Sequence, residues 1–307
     1  MARDIEVFDE RLRPVVQGAR LEKLCSGALW SEGPVWLRED DAVLWSDIPN
    51  NRMLRWSAAG GLSVWRERVE YTNGHALDLN GDLLHCSHGL RAIMRTPRRE
   101  GRILAETPDE LVVNRYQGKR LNSPNDIVVK RDGTVWFTDP PYGILSEREG
   151  HKAPREQLAN HVFCFDPRTG TLHAATDAVE EPNGLAFSPD ESVLYVSDTS
   201  AALRQGGHHR IVAFDVSGHI LVNMRLVASI SPGLPDGFRL DRQGWIYTSS
   251  EDAVQVLSPE GALLGRIPVP EKVGNLTFGG PGRNQLYIVA STSLYRIILN
   301  TQGIQQP

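Results

Sequence analysis

A two-residue step placed directly before an apolar strand pattern recurs six times along the chain, and this repeat constrains the fold more than any single motif. The steps are Glu32-Gly33, Asn73-Gly74, Asn125-Asp126, Asn183-Gly184, Asp236-Gly237 and Gly274-Asn275, with starts 41, 52, 58, 53 and 38 residues apart. After each step come a first run, a turn, and a second run richer in β-branched or aromatic residues. Examples are V-W-L then A-V-L-W-S-D, I-V-V-K then T-V-W-F-T-D, and L-A-F-S then V-L-Y-V-S-D. Runs this short, separated by turn residues, read as strands and not helices. A third strand follows in every unit and a fourth in five of them, as in G-L-S-V-W at 61–65 and G-T-L-H-A at 170–174. Four strands repeated at this period predict an all-β chain folded as a six-bladed β-propeller.

The sixth unit lacks its fourth strand, because only L-N-T-Q-G-I-Q-Q-P follows Ile298, while the strand-like R-L-E-K-L-C at 20–25 belongs to no unit. The N-terminal strand is therefore expected to complete the last blade and close the ring, which protects the end strands that an open array would expose. An open β-sandwich with coincidental N-G and D-G hairpin turns would leave both the six-fold register and the spare strand unexplained. No Pro/Gly/Ser tract interrupts the repeats, so residues 1–307 read as one domain.

Composition excludes several classes of function. A net charge of −5 argues against nucleic acid as a partner. The basic cluster Arg95, Arg98, Arg99 and Arg102 is interrupted by Pro97 and Glu100 and reads as a solvated edge. No apolar stretch approaches the roughly 20 residues of a membrane span, and M-A-R-D-I-E-V-F lacks the apolar core of a signal peptide. Cys25, Cys86 and Cys164 have neither metal-type spacing nor a disulfide framework, as expected of small buried apolar residues in a reducing cytoplasm.

Equivalent positions of a closed repeat array point at one axis, so the residues that open the units should converge. Four of them offer oxygen: Glu32, Asn125, Asn183 and Asp236. Two carboxylates and two amides make an all-oxygen shell of charge −2, which suits Ca²⁺ first, with Mg²⁺, Mn²⁺ or Zn²⁺ as further candidates. Four protein oxygens leave coordination positions for water and substrate, as a catalytic metal requires. Asn or Asp before Gly is common in turns for conformational reasons alone. Glu is not favoured there, and four oxygens at one register outweigh the turn reading.

Here the sequence resembles a known family, the gluconolactonase, senescence marker protein (regucalcin) and luciferin-regenerating-enzyme-like group of six-bladed propellers. The resemblance spans essentially the whole chain. It rests on S-E-G-P-V-W at 31–36, N-S-P-N-D at 122–126, F-T-D-P-P-Y-G at 137–143, E-P-N-G-L-A-F-S-P-D at 181–190 and P-D-G-F at 235–238. It implies one divalent cation in the central channel held by Glu32, Asn183 and Asp236, with Asn125 either a direct ligand or a contact to the metal's water and the substrate. It also implies hydrolysis of small sugar lactones, a gluconolactonase-like carboxylic ester hydrolysis in which a metal-activated water attacks the lactone carbonyl and Asp236 acts as general base. The alternatives are an organophosphate hydrolase of the phosphofluoridate type and a calcium-binding propeller without turnover.

Substrate contacts are expected from the channel rim. Asn73 occupies the ligand register in the second unit and reads as a contact to a substrate hydroxyl. His75, His88 and Tyr142 are further candidate substrate contacts, the histidines, in N-G-H-A and C-S-H-G, as donors to a polyol, and Tyr142 begins a long connection over 143–160 of the kind that forms lids or disordered excursions. A second insertion at 200–210 should project on the same face, with His208 and His209 solvated there. The animal regucalcins carry an Arg-containing substrate contact before the N-D motif. The segment G-K-R-L-N-S-P-N-D does not reproduce it, so Arg120 is not assigned that role, and the N-S-P-N-D and D-P-P-Y-G forms resemble the bacterial and plant gluconolactonase branch.

Overall fold

Six antiparallel blades, each with four strands consecutive in the chain except the sixth, surround a central channel in the computed structural model, which describes residues 4–304. The innermost strands are Ser31–Leu37, Thr72–Leu77, Ile127–Val129, Pro182–Phe187, Phe238–Leu240 and Val273–Gly279, each at or just beyond one of the six repeated steps. The sixth blade is completed from the other end of the chain: Glu22–Ser26 pairs antiparallel with Ser293–Ile298, with Glu22 opposite Arg296 and Cys25 opposite Leu294. The ring is closed as expected.

The strands read as nearly unbroken apolar runs because both faces of every blade are covered. Among the described residues the core divides into six clusters, one at each seam between neighbouring blades. Alternation along a strand feeds two seams at once. In the third blade Val128, Trp136 and Cys164 pack toward the fourth, whereas Ile127, Val135, Phe137 and Phe163 pack toward the second. Cys86 and Cys164 lie buried in such seams, while Cys25 is only half-buried, and none of the three forms a disulfide.

Three features depart from the repeat. A fifth strand, Glu6–Val7, is added to the outside of the fifth blade against Arg266 and Gly265, and the short helix Arg13–Val16 sends Val15 and Val16 into the seam between blades five and six. A two-stranded ribbon, Arg115–Tyr116 with Lys119–Arg120, precedes the third blade. Arg120 there donates to the Leu90 carbonyl. The basic cluster is an exposed, ion-paired edge in which Arg95 meets Glu110, Arg98 meets Glu39 and Arg102 meets Asp40. Among the described residues no helix is long and apolar enough to cross a membrane.

Candidate active site

The repeated step has a physical cause at the start of each inner strand. In blades one, two, four and six the strand pairing slips at the step, between Glu32 and Val35, Thr72 and His75, Pro182 and Leu185, and Val273 and Asn275. Such bulges re-aim a side chain out of the regular alternation. In blades three and five, Asn125 and Asp236 stand just before the strand begins. At this level each blade touches the next through backbone. Gly74 N–H donates to the Asn125 carbonyl at 2.9 Å, Gly184 N–H to the Asp236 carbonyl at 3.0 Å and Gly237 N–H to the Gly274 carbonyl at 2.9 Å. A Cβ on Gly33, whose φ is +54°, would lie 2.1 Å from the Asn73 carbonyl oxygen, and one on Gly274 would lie 2.6 Å from Glu32 Oε1. The glycine of the step is there because the neighbouring blade leaves no room for a side chain.

The second strand of each blade braces this belt. Ser46, Thr138 and Ser197 hydroxyls donate to the carbonyls of Asn73, Asn183 and Asp236 in the following blade, at 2.9, 2.7 and 3.0 Å. The aspartates that follow them, Asp47, Asp139 and Asp198, are fully buried. They accept from Leu29, Asn122 and Glu181 N–H groups and so hold the segment entering their own blade's inner strand. The recurrent S-D and T-D pairs are thus a positioning device for the belt, a role that strand patterning alone does not disclose.

Glu32 is buried, and its Oε2 accepts from Gly33 N–H at 3.1 Å and from Asn275 Nδ2 at 3.3 Å, while Oε1 is buried without a partner. Burial first, and then the charge of Asp236, push its carboxyl well above the usual range. Asp236 is partly exposed. Loss of solvation raises its carboxyl to about 7 against the opposing pull of Lys272 and a hydrogen bond from Asn183. Asn183 Nδ2 donates to Thr199 Oγ1 at 3.3 Å, and Thr199 Oγ1 is 2.6 Å from the Tyr142 hydroxyl. With its amide nitrogen so engaged, Asn183 keeps Oδ1 free. The Asn125 amide makes no side-chain hydrogen bond to another described residue, although its backbone N–H is held by the Thr138 carbonyl at 2.9 Å.

Asn73 Nδ2 lies 3.3 Å from His88 Nε2, and His88 Nδ1 lies 2.8 Å from the Glu149 carbonyl. Burial pushes the His88 ring down to about 4, so it is neutral, donates from Nδ1 to the carbonyl and accepts from Asn73 at Nε2. Asn73 therefore presents its oxygen as the free group. His75 sits deeper in the wall, 2% exposed, with Nδ1 2.5 Å from the Gly33 carbonyl and Nε2 without a partner. The structure places it between the first two blades.

Tyr142 opens a short helix, Tyr142–Leu145, and the connection beyond it is tied down. Gly143 N–H donates to Ser123 Oγ, and a Cβ at Gly143 would lie 2.5 Å from His88 Cβ. Gln157 Nε2 donates to three carbonyls of the ribbon that precedes blade three. The 143–160 segment is thus anchored through Gly143 and Gln157, and it meets His88 at Gly143 and Glu149.

A different acidic group, Glu180, Asp198 and His208, has ligand atoms within 4.8 Å of one another. Arg204 and Arg210 already pair with Glu180 and Asp198, so it is a neutralised cluster on blade four. His208 lies 3.7 Å from Glu180, and His209 Nδ1 is 2.6 Å from the Ile230 carbonyl, so both are engaged with protein. Thr199, Asn275 and Lys272 are site residues that the sequence reading did not single out. Asn275 was hidden because it stands one residue beyond the ligand register, at which its unit has Gly274.

Residues 30–292 match a known family model, described as the SMP-30/Gluconolactonase/LRE-like region. The chain belongs to the SMP-30/gluconolactonase/LRE-like family. Among its relatives is a gluconolactonase of Zymomonas mobilis, 32% identical, with 97% of this chain and 87% of the relative covered. A pentonolactonase of Haloferax volcanii is 26% identical over 85% of this chain and 81% of its own length. Among solved structures, a gluconolactonase of Xanthomonas campestris superposes with a TM-score of 0.88 at 39% identity, covering 97% of this chain and 95% of that one.

The buried histidine in the family's propeller wall carries a pH signature. Burial, and then the charge of His85, lower the His75 ring to about 3, whereas an unfolded histidine titrates near ~6.5. Between those values the unfolded chain binds a proton that the folded one does not, so stability falls as pH drops. Relative to a His75→Asn variant, wild type should lose about 1.4 kcal/mol per pH unit below ~6.5. Urea unfolding of both proteins at several pH values checks this. Parallel pH dependences would contradict it.

Proposed function

We propose that this protein opens the ring of small sugar lactones with the help of one divalent cation held by Glu32, Asn125, Asn183 and Asp236. Family membership makes it a lactonase, a carboxylic ester hydrolase, and its gluconolactonase and pentonolactonase relatives support sugar lactones as the substrate class. The observation that carries the metal reading is the buried, unpartnered Oε1 of Glu32 together with a second carboxylate whose charge raises Glu32 further. Two carboxylates enclosed in this way stay charged only beside a cation and otherwise hold protons. The donors are all oxygen, as hard cations prefer, with Ca²⁺ the first choice.

When bound, the cation supplies Lewis acidity that polarises the carbonyl and acidifies water. The chain's own residues do the rest. Asp236 would help to hold the cation and, as general base, would take the proton of the attacking water. Asn183 is held by Thr199 and Tyr142, so Tyr142 acts through that chain of hydrogen bonds. Asn73, oriented by His88, accepts from a substrate hydroxyl, and Asn125 either completes the metal shell or contacts substrate. We place His75 in the wall, where it holds the Gly33 carbonyl.

The test compares chelated protein with protein reloaded with Ca²⁺, Mg²⁺, Mn²⁺ or Zn²⁺. Gluconolactone hydrolysis is followed by pH-stat, corrected for spontaneous opening, beside a melting curve for each form. The expected result is folded, inactive apoprotein and turnover that differs between cations of equal stabilising effect. Full activity in verified metal-free protein would rule the mechanism out. Diisopropyl fluorophosphate in the same assay reads the organophosphatase alternative.

A further inference from the structure

A cavity of about 310 Å³ lies at the opposite end of the propeller from the belt. Its walls include Leu37, Leu77, Val129, Leu240 and Phe278, which follow the repeated steps by four or five residues. At about 3.3 Å per residue these five wall residues stand roughly 13–17 Å along their strands from the steps. Arg239 stands between the two, reaching from blade five to blade three, where Nη1 donates to Asp126 Oδ2 at 3.1 Å and Nη2 to Oδ1 at 3.4 Å.

We infer that this cavity is a second, non-catalytic binding site for a small amphipathic anion, an organic acid with one carboxylate on an apolar body. The charges that line it decide the sign. Arg239 is neutralised by Asp126, Arg98 lies 3.7 Å from Glu39, and Arg102 pairs with Asp40. The remaining carboxylate, Glu191, is 3.8 Å from Lys130 and 3.8 Å from Arg131. Every lining acid therefore has a cation, and two guanidiniums are left over. Arg38, which is exposed, and Arg283, which is half-buried, form no ion pair with a described residue, and Arg283 Nη1 is buried without a hydrogen-bond partner. Arg38 follows the inner strand of blade one and Arg283 that of blade six. These blades are neighbours in the closed ring, so the spare charge stands on one side of the cavity.

An unpartnered buried donor is costly unless a ligand satisfies it, and a carboxylate matches a guanidinium in two parallel hydrogen bonds. The cavity is of ligand size, with apolar walls at the strand ends and charged side chains around them. A sugar lactone has no apolar body to fill it, and a cation would meet the spare arginines.

The test is calorimetric titration of the metal-loaded full chain with 2-naphthoate, beside 2-naphthalenemethanol as the uncharged analogue. One naphthoate should bind per chain with a Kd of about 0.1 mM, and the alcohol about tenfold or more weakly. An Arg38→Gln/Arg283→Gln double variant, checked for an unchanged melting temperature, should weaken naphthoate about tenfold or more while keeping wild-type gluconolactone turnover. Saturating naphthoate should leave the lactone KM unchanged. The assignment is overturned by absence of saturable binding up to about 10 mM, by equal affinity for the alcohol, by undiminished binding to the double variant, or by competition with the lactone.

Discussion

Asp236→Asn should fold normally and hydrolyse gluconolactone at least about a hundredfold more slowly than wild type, the loss expected when a general base is removed. Folding is spared because the blade is held by apolar seams and because the Asp236 carbonyl, which the substitution does not touch, is what accepts from Gly184 N–H and Ser197 Oγ. The side chain keeps its volume but loses both its charge and its basicity. Because the Asp236 charge is also a cause of the raised Glu32 carboxyl, metal-free variant should melt no lower than metal-free wild type. Turnover by pH-stat on metal-loaded protein, with melting curves alongside, decides the point. Near-normal turnover would sink the assignment.

Deleting residues 1–25 should abolish cooperative folding. The strand Glu22–Ser26 is lost almost entirely, so Ser293–Ile298 becomes an unpaired edge of the kind that aggregates. The deletion also withdraws Leu12, Val15 and Val16 from the seam between blades five and six. At roughly 1.5–3 kcal/mol for each buried side chain, those three alone contribute an amount comparable to the whole stability of a typical domain, about 5–15 kcal/mol. The ion pair between Arg296 and Glu22, at 2.7 Å, goes with them. Soluble yield and the melting transition of the truncated chain measure the effect. A stable, active truncation would show that the ring closes without this strand.

Much of the belt was legible because its cause is local. A step of an oxygen-bearing residue and glycine recurs in four of the six units, at the level where one blade's backbone meets the next, so repeat register alone brings Glu32, Asn73, Asn125, Asn183 and Asp236 to one level. The third unit breaks the rule with Asn125-Asp126, and the structure gives the reason: Asp126 pairs with Arg239 across the channel. That partner is 113 residues away, and no periodicity links the two positions. Asn275 and Thr199 were not legible for a related reason. Each acts on a residue distant in the chain or on another strand, Glu32 and Asn183, and neither occupies the repeated position itself.

The sequence by itself determined the all-β class, the six blades, the closing N-terminal strand and the level at which the oxygen-bearing residues stand. Covalent periodicity carries that information, because strand length, turn chemistry and side-chain alternation are properties of neighbouring residues. Only the tertiary structure decided which way those groups face and what holds them. It decided that Asn73 offers oxygen because His88 takes its nitrogen, that His75 belongs to the wall, that 143–160 is anchored against His88 and the ribbon, and that an apolar cavity with two spare arginines lies beyond Asp126 and Arg239. These depend on distances between blades, which arise when six seams close together around one axis and which no local stretch of chain encodes.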